Sequence, residues 1–303
     1  MNPYDVIIVG GGPAGLAAGI YARRAKLSSL LLEKTILGGQ VAMADLIENY
    51  PGISEIRGYE LSNRFREQAE KFGLEIRYTE VTGIRPESDL RIVLTSEGEY
   101  QGKAIIIASG AEPAQLNVKG EKEFVGKGIS YCATCDGPFF TGKHVIVVGG
   151  GDSAVTEALF LSKVASKVHV VHRRDKLRAE KFNEEKARAD PKIDFIWNSI
   201  VQEILGADHV ESVVLKDVKT GQIRKVKTEG VFIYVGRKPN TRFVDVEKDS
   251  TGYIKTNDSC GTSVKGIFAA GDCTSALWKQ IVTAVGEGAK AAMSAQKHLE
   301  GLT

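Results

Sequence analysis

The unbroken apolar runs in this chain are short, and the most prominent of them lead into glycine clusters. VIIV at residues 6–9 enters Gly10-Gly11-Gly12-Pro13-Ala14-Gly15, and an Ala-rich stretch with apolar positions at helical spacing continues to Lys26. A short apolar run bounded by turn residues reads as a buried strand, and apolar recurrence every three to four residues reads as a helix. The pattern therefore predicts a strand at 5–9, a tight turn, a helix to 26 and a strand at 30–32. The same plan returns with a strand at 144–148, Gly149-Gly150-Gly151-Asp152-Ser153-Ala154, a helix to 163 and a strand at 167–171. Further strands are expected at 75–78, 91–95, 104–107, 231–235 and 267–270, and a last helix from about 286 to 299.

Strand, glycine turn, helix and strand make a βαβ unit, the context in which a GxGxxG pattern becomes informative for dinucleotide binding. Two such units predict an α/β fold with two Rossmann-like dinucleotide-binding domains. The strands at 104–107 and 231–235 each run on to a Gly and then a Pro, at Gly110 and Pro113 and at Gly236 and Pro239, natural crossovers between domains. The piece after the second crossover is too short to bury a core alone and is expected to rejoin the first domain. The expected division is 1–112 with 241–303, and 113–240 inserted between them.

The residue that ends the second strand of each unit separates their ligands. Glu33 lies 23 residues after Gly10, where a carboxylate accepts both hydroxyls of an unphosphorylated adenosine ribose, as in FAD or NAD. At the same offset from Gly149 stands His172, followed by Arg173 and Arg174. Guanidiniums there suit a 2′-phosphate through charge-assisted contacts, which reads as NADP. A charge run is otherwise a solvated turn; the register against the second glycine turn favours the phosphate. Arg178 either joins the cluster or occupies an exposed helix position.

Composition narrows the rest. The 303 residues, 43% hydrophobic and 26% charged, match an ordinary globular chain of about two domains. Lys and Arg total 40 against 38 Asp and Glu, so no global field draws nucleic acid or an anionic membrane. The aliphatic runs fall far short of the roughly 18 residues of a membrane span. The N-terminus lacks a basic leader and enters a strand directly, which predicts a cytoplasmic protein.

Four cysteines are too few for a disulfide scaffold, but two form Cys132-Ala-Thr-Cys135. A CxxC at a helix start has a lowered thiol pKa and acts as an exchange nucleophile. Half of a zinc site is the structural alternative; the five His and the remaining Cys260 and Cys273 supply no second pair at ligand spacing. Those two cysteines read as core or loop residues. Asp136, next to the pair, either caps a turn or moves protons to and from it.

Together GGGPAG, Glu33, Gly38-Gly39-Gln40, Glu48-Asn49-Tyr50-Pro51-Gly52, CATCD, GGGDSA, HRRDKLRAEK, VGRKPNT and Gly271-Asp272-Cys273 resemble the low-molecular-weight thioredoxin reductases over nearly the whole chain. CATCD with HRR-x-x-x-R is specific to that family and its close relatives. The resemblance implies a homodimer in which an FAD domain is interrupted by an NADPH domain carrying the redox pair. It implies FAD contacts from Gly10, Gly12, Pro13, Ala14, Gly15, Glu33, Gly39, Gln40, Asn49, Gly271, Asp272, Lys279, Gln280 and Ile281. It implies NADPH contacts from Gly149, Gly151, Asp152, Ser153, Ala154, His172, Arg173, Arg174, Arg178 and Gly236. Catalysis would rest on Cys132, Cys135 and Asp136, with electrons passing from NADPH through FAD to the pair and on to thioredoxin. A glutaredoxin-like or peroxiredoxin partner, or a non-catalytic dinucleotide-binding module with a structural CxxC, are the alternatives. Gly38, Gly39 and Asn49 otherwise only shape turns, and Asp272 otherwise caps the last helix. The family has Arg-Gln where this chain has Lys279-Gln280, and Lys lacks the planar fork of Arg. Trp278 is either core or partner-facing.

Overall fold

The structure, a computed structural model, describes residues 3–44, 46–87 and 89–301. The chain divides into two compact units, 1–112 with 238–303, and 113–237. In the first, β1 (Tyr4–Val9) leads to α1 (Pro13–Arg24) and β2 (Ser29–Glu33), followed by α2 (Gly58–Lys71), β3 (Glu75–Tyr78), β4 (Val81–Glu87), β5 (Leu90–Thr95) and β6 (Gly98–Ile107). β1 lies between β2 and β6, parallel to both, and β3 adds parallel to β2. Val6 and Ile8 face one core with Ala14, Ala18 and Ala22, while Ile7 and Val9 face another. A strand apolar on both faces suits a parallel sheet covered on each side. β4 and β5 form an antiparallel meander on the first half of β6.

After β7 (Ala111–Pro113) the second unit begins with β8 (Ile129–Ser130), α3 (Ala133–Asp136), β9 (His144–Gly149), α4 (Asp152–Val164), β10 (Lys167–Val171), α5 (Lys181–Ala189) and β11 (Ile193–Ile196). It ends with β12 (Ser199–Gly206), β13 (Val210–Asp217), β14 (Ile223–Lys227) and β15 (Gly230–Tyr234). Its parallel sheet has the order β11-β10-β9-β15-β8. Val145, Val147 and Phe232 pack on Val155, Ala158 and Leu161 of α4. The other face, with Ile146, Val148, Val231 and Ile233, packs on Val201, Val213 and Leu215 of an antiparallel β12-β13-β14 layer. The sequence pattern did not announce that layer, because SIVQEILG and VESVVLKD interleave apolar with charged positions.

The chain returns through β16 (Arg237–Pro239), which pairs with β7. β17 (Ile267–Ala269) then adds parallel to β6, and α6 (Ile281–Leu299) packs on α1. A Cβ at Gly288 would stand 2.0 Å from the Ala14 carbonyl oxygen, so these helices meet at backbone contact. α6 starts earlier than the expected 286. Gln280 and Thr283 form a reciprocal capping box that starts the helix and leaves Gly286 in its interior. Asp272 lies in the single turn Gly271–Cys273 and does not cap α6.

Inside the second unit His144 Nε2 and His169 Nδ1 stand 2.5 Å apart, and Asp194 Oδ2 lies 3.6 Å from His169 Nε2. Burial holds both imidazoles below the ordinary histidine range; Lys167 depresses both, and His144 and Arg224 depress His169, against Glu229 and Asp194. In the unfolded chain these rings take up protons near their ordinary pKa of about 6.5, and in the folded chain only at lower pH. Their contribution to stability is therefore complete above that pKa and lost as pH falls toward the folded values. Urea midpoints should drop between pH 7.5 and 5, with a shallower drop in His169→Gln; parallel profiles in the two proteins would contradict this.

Candidate active site

In the first unit the carboxyl ends of β1, β2, β6 and β17 share one edge, because every pairing among them is parallel. Gly10 leaves β1 at φ +105°, and a Cβ there would lie 2.3 Å from the Ala108 carbonyl oxygen. A Cβ at Gly15 would lie 1.9 Å from the Gly10 carbonyl oxygen, whereas Gly12 has open space beside it. Gly12 stands just before α1, Pro13 starts the helix, and Ala14 is buried. This is a helix N-terminus with unpaired N–H groups and room for a phosphate.

Glu33 is held at the edge of that turn: Oε2 accepts the Gly11 N–H at 2.7 Å and Oε1 accepts the Thr35 N–H at 2.8 Å. Gly39 reaches the same turn, 3.5 Å from Gly12 Cα measured from where its Cβ would be, and Gln40 beside it is exposed. Asn49 Nδ2 donates to Gln280 Oε1 at 3.3 Å, and Ile281 begins α6. The Gly271 N–H donates to Glu287 Oε2 at 2.7 Å, with half-buried Asp272 next to it. Burial pushes the Glu287 carboxyl up, against the Gly271 N–H. Lys279 Nζ donates to the Thr274 carbonyl and lies 4.7 Å from the Tyr253 ring centroid. Burial lowers its pKa, with Asp272 opposing. Trp278 is 70% exposed, so it is not a core residue.

The second unit repeats the turn. Gly149 ends β9 at φ +153° and Gly151 has open space beside it; Asp152 and Ser153 open α4, and Ala154 is buried. Asp152 Oδ1 accepts the Glu180 N–H at 2.7 Å. His172, 5% exposed, lies flat over Gly150, where a Cβ would meet its ring at 2.3 Å. Burial lowers its pKa, helped by Arg178, Arg174 and Arg173. Those arginines are exposed, and the Arg178 N–H donates to the Gly150 carbonyl at 2.6 Å. The loop is also tied to the end of β11 and the turn after it, through His172 N to Ile196 O at 2.9 Å and Asn198 N to Arg174 O at 3.3 Å. Gly236, at φ +134°, follows β15 and accepts the Ala114 N–H at 2.9 Å.

Cys132 and Cys135 form a disulfide across α3. Cys132 Sγ accepts the Cys135 N–H at 3.2 Å, and Ser130 Oγ accepts the Cys132 N–H at 2.9 Å. Cys132 is half-buried and Cys135 exposed; Asp136 is half-buried, and its side chain makes no capping hydrogen bond. Tyr234 Oη accepts the Ala133 N–H at 2.8 Å. Cys260 and Cys273 are buried free thiols, their pKa values pushed up to about 11 by burial. Two residues of these sites lay outside the sequence motifs. Glu287 could be noticed only as an acid two turns into α6, and nothing near Tyr234 in sequence points to Ala133.

Among the described residues no helix is long and apolar enough to cross a membrane. The sequence matches the pyridine nucleotide-disulphide oxidoreductase family over residues 4–288. The thioredoxin reductase of Bacillus subtilis (strain 168) is 48% identical over 302 residues, covering 99% of this chain and 96% of that protein. The crystal structure of Lactococcus lactis thioredoxin reductase in its FR conformation superposes with a TM-score of 0.97 at 44% identity, covering 99% of this chain and 100% of that one. That of T. acidophilum thioredoxin reductase gives 0.95 at 39% identity, covering both chains completely. The chain belongs to the pyridine nucleotide-disulphide oxidoreductase family.

Proposed function

We propose that this protein is a flavoprotein thioredoxin reductase that uses NADPH to reduce the disulfide of thioredoxin through Cys132 and Cys135. The observation that carries this reading is the Cys132–Cys135 disulfide lying in the same compact unit as a glycine turn whose covering residue, His172, has Arg173, Arg174 and Arg178 for neighbours. The thioredoxin reductase names of full-length relatives support it.

The first unit suits FAD: Gly12 leaves open space at a helix N-terminus, and Glu33 offers a carboxylate to an unphosphorylated ribose. Asn49, Gln280 and Asp272 complete that assignment. The second unit suits NADPH: Gly151 leaves the corresponding space, and Arg173, Arg174 and Arg178 supply exposed cations for the 2′-phosphate. Bound FAD supplies the link between hydride transfer and two-electron thiol chemistry.

Reduction of the Cys132–Cys135 bond takes two electrons and two protons and yields a dithiol. One thiolate of that pair attacks a sulfur of the partner disulfide and forms a mixed disulfide. The second cysteine displaces the partner as a dithiol and restores the original bond. Asp136 stands next to Cys135 without a capping role, free to hold the proton that accompanies each exchange. A cytoplasmic homodimer fits this reading. The free thiols of Cys260 and Cys273 suit a reducing compartment, and Leu277 and Trp278 present exposed apolar surface.

Three outcomes test the assignment. In Cys135→Ser, NADPH should still bleach the flavin while thioredoxin reduction collapses, followed by flavin absorbance and thioredoxin-coupled turnover. Loss of flavin bleaching in that variant contradicts the order of the two steps. Changing Arg173 and Arg174 together to Ala should raise KM for NADPH by roughly ten- to a hundredfold and KM for NADH much less. A wild type that already prefers NADH contradicts the arginine assignment. Asp136→Asn should leave flavin reduction intact and slow reoxidation by the disulfide by about 10²- to 10⁴-fold in stopped flow. An unchanged rate removes Asp136 from the proton path.

A further inference from the structure

Tyr234 ends β15, and its two ends meet different parts of the second unit. Its backbone is in register with Gly149, and its carbonyl oxygen lies 2.5 Å from where a Gly149 Cβ would be. Its hydroxyl accepts the N–H of Ala133, which lies between the two cysteines. Ala133 is 0% exposed, so its N–H has no water to turn to while the turn is closed.

The other hydrogen bonds on this turn come from its own neighbours. The Cys135 N–H donates to Cys132 Sγ, the Asp136 N–H donates to Cys132 O, and Ser130 Oγ meets both the N–H and the carbonyl of Cys132. Two of these bonds lie within the turn itself, and Ser130 ends β8 just before it. The hydroxyl of Tyr234 arrives from a residue 101 positions away, on a central strand of the sheet.

We propose that Tyr234 is a positioning residue for the redox pair, its hydroxyl holding the Cys132–Cys135 turn closed so that the two thiols stay close once their bond is broken. This rests on the reading of Cys132 and Cys135 as an exchange pair. Against glutathione, two thiols of the tripeptide reduce the protein disulfide. One sulfur–sulfur bond breaks in the protein, one forms in glutathione disulfide, and the two protons pass to the protein dithiol. The position of that equilibrium depends on the effective concentration of the two protein thiols for each other. In the disulfide form the buried Ala133 N–H cannot reach water. In the dithiol form a turn without its anchor opens and hydrates that N–H. Removing the hydroxyl therefore costs the disulfide form more than the dithiol form.

Tyr234→Phe keeps the ring and removes only the hydroxyl. A glutathione redox titration of the FAD-loaded full chain, read by thiol alkylation, should shift its midpoint toward the dithiol by about tenfold, the scale of a buried donor left unpaired. A purely structural role lowers the melting temperature and leaves the midpoint alone, so a midpoint within twofold of wild type overturns the proposal. If the variant does not fold, amide exchange at Ala133 in the oxidised wild type decides: protection is expected, and exchange at the rate of a free amide overturns the proposal. The titration needs no nucleotide. A wild type that gains no thiols with NADPH, beside a shifted Tyr234→Phe midpoint, rejects the reductase reading and leaves Tyr234 in its role.

Discussion

Backbone approach closer than any side chain permits is the constraint on which both nucleotide turns depend. With a Cβ at Gly15 standing 1.9 Å from the Gly10 carbonyl oxygen, any other residue would push α1 off the end of β1. The helix N-terminus would then no longer close on the turn. The second unit solves the same problem with different residues. Ala154 replaces the third glycine, while Gly149, like Gly10, stays tight, caught between the Tyr234 carbonyl and the Ala154 methyl. A chain that needs its backbone this close tolerates little variation at the turn. The two units differ instead in the loop that opens at the end of the second strand, with Glu33 in one and His172, Arg173 and Arg174 in the other.

That loop works through the middle glycine in both units. Glu33 accepts the Gly11 N–H, so the carboxylate is fixed by the turn it serves. In the second unit a ring takes the place of the carboxylate, with His172 lying on Gly150. Burial and three neighbouring guanidiniums favour the neutral imidazole. An uncharged ring under exposed arginines adds no competing cation of its own and gives the loop a rigid base. The three arginines themselves stay exposed to water.

Much of this was legible because hydrophobic period and glycine spacing agree at the same places. The strands Glu75–Tyr78 and Lys167–Val171 fall at the bounds that the apolar runs predict. Agreement ends where a contact joins distant residues. The start of α6 depends on Gln280 and Thr283 capping each other, a local signal outweighed in the pattern by the glycines at 286 and 288. Gly288 serves helix packing against Ala14, while Gly286 has open space beside it. The β12-β13-β14 layer was hidden because each strand is polar on its solvent side. In the sites, the motif residues were readable as residue types at fixed spacing. Glu287 and Tyr234 were not, since their roles arise from hydrogen bonds across 16 and 101 residues.

The strand order of the second unit explains why a tyrosine can serve the disulfide. β8, β15 and β9 are consecutive and parallel, so their carboxyl ends fall along one edge. Cys132 follows β8, Tyr234 ends β15 and Gly149 ends β9. With neighbouring strands about 4.8 Å apart, β15 is the strand that stands between the redox turn and the nucleotide turn. Its last residue meets both, with a hydroxyl on one side and a carbonyl on the other. Thiol exchange needs an accessible sulfur, and Cys135 is exposed on a helix of four residues. Such a short helix has too few internal hydrogen bonds to hold its own shape. The sheet edge supplies the rigidity that the helix lacks, through the Tyr234 hydroxyl on the Ala133 N–H.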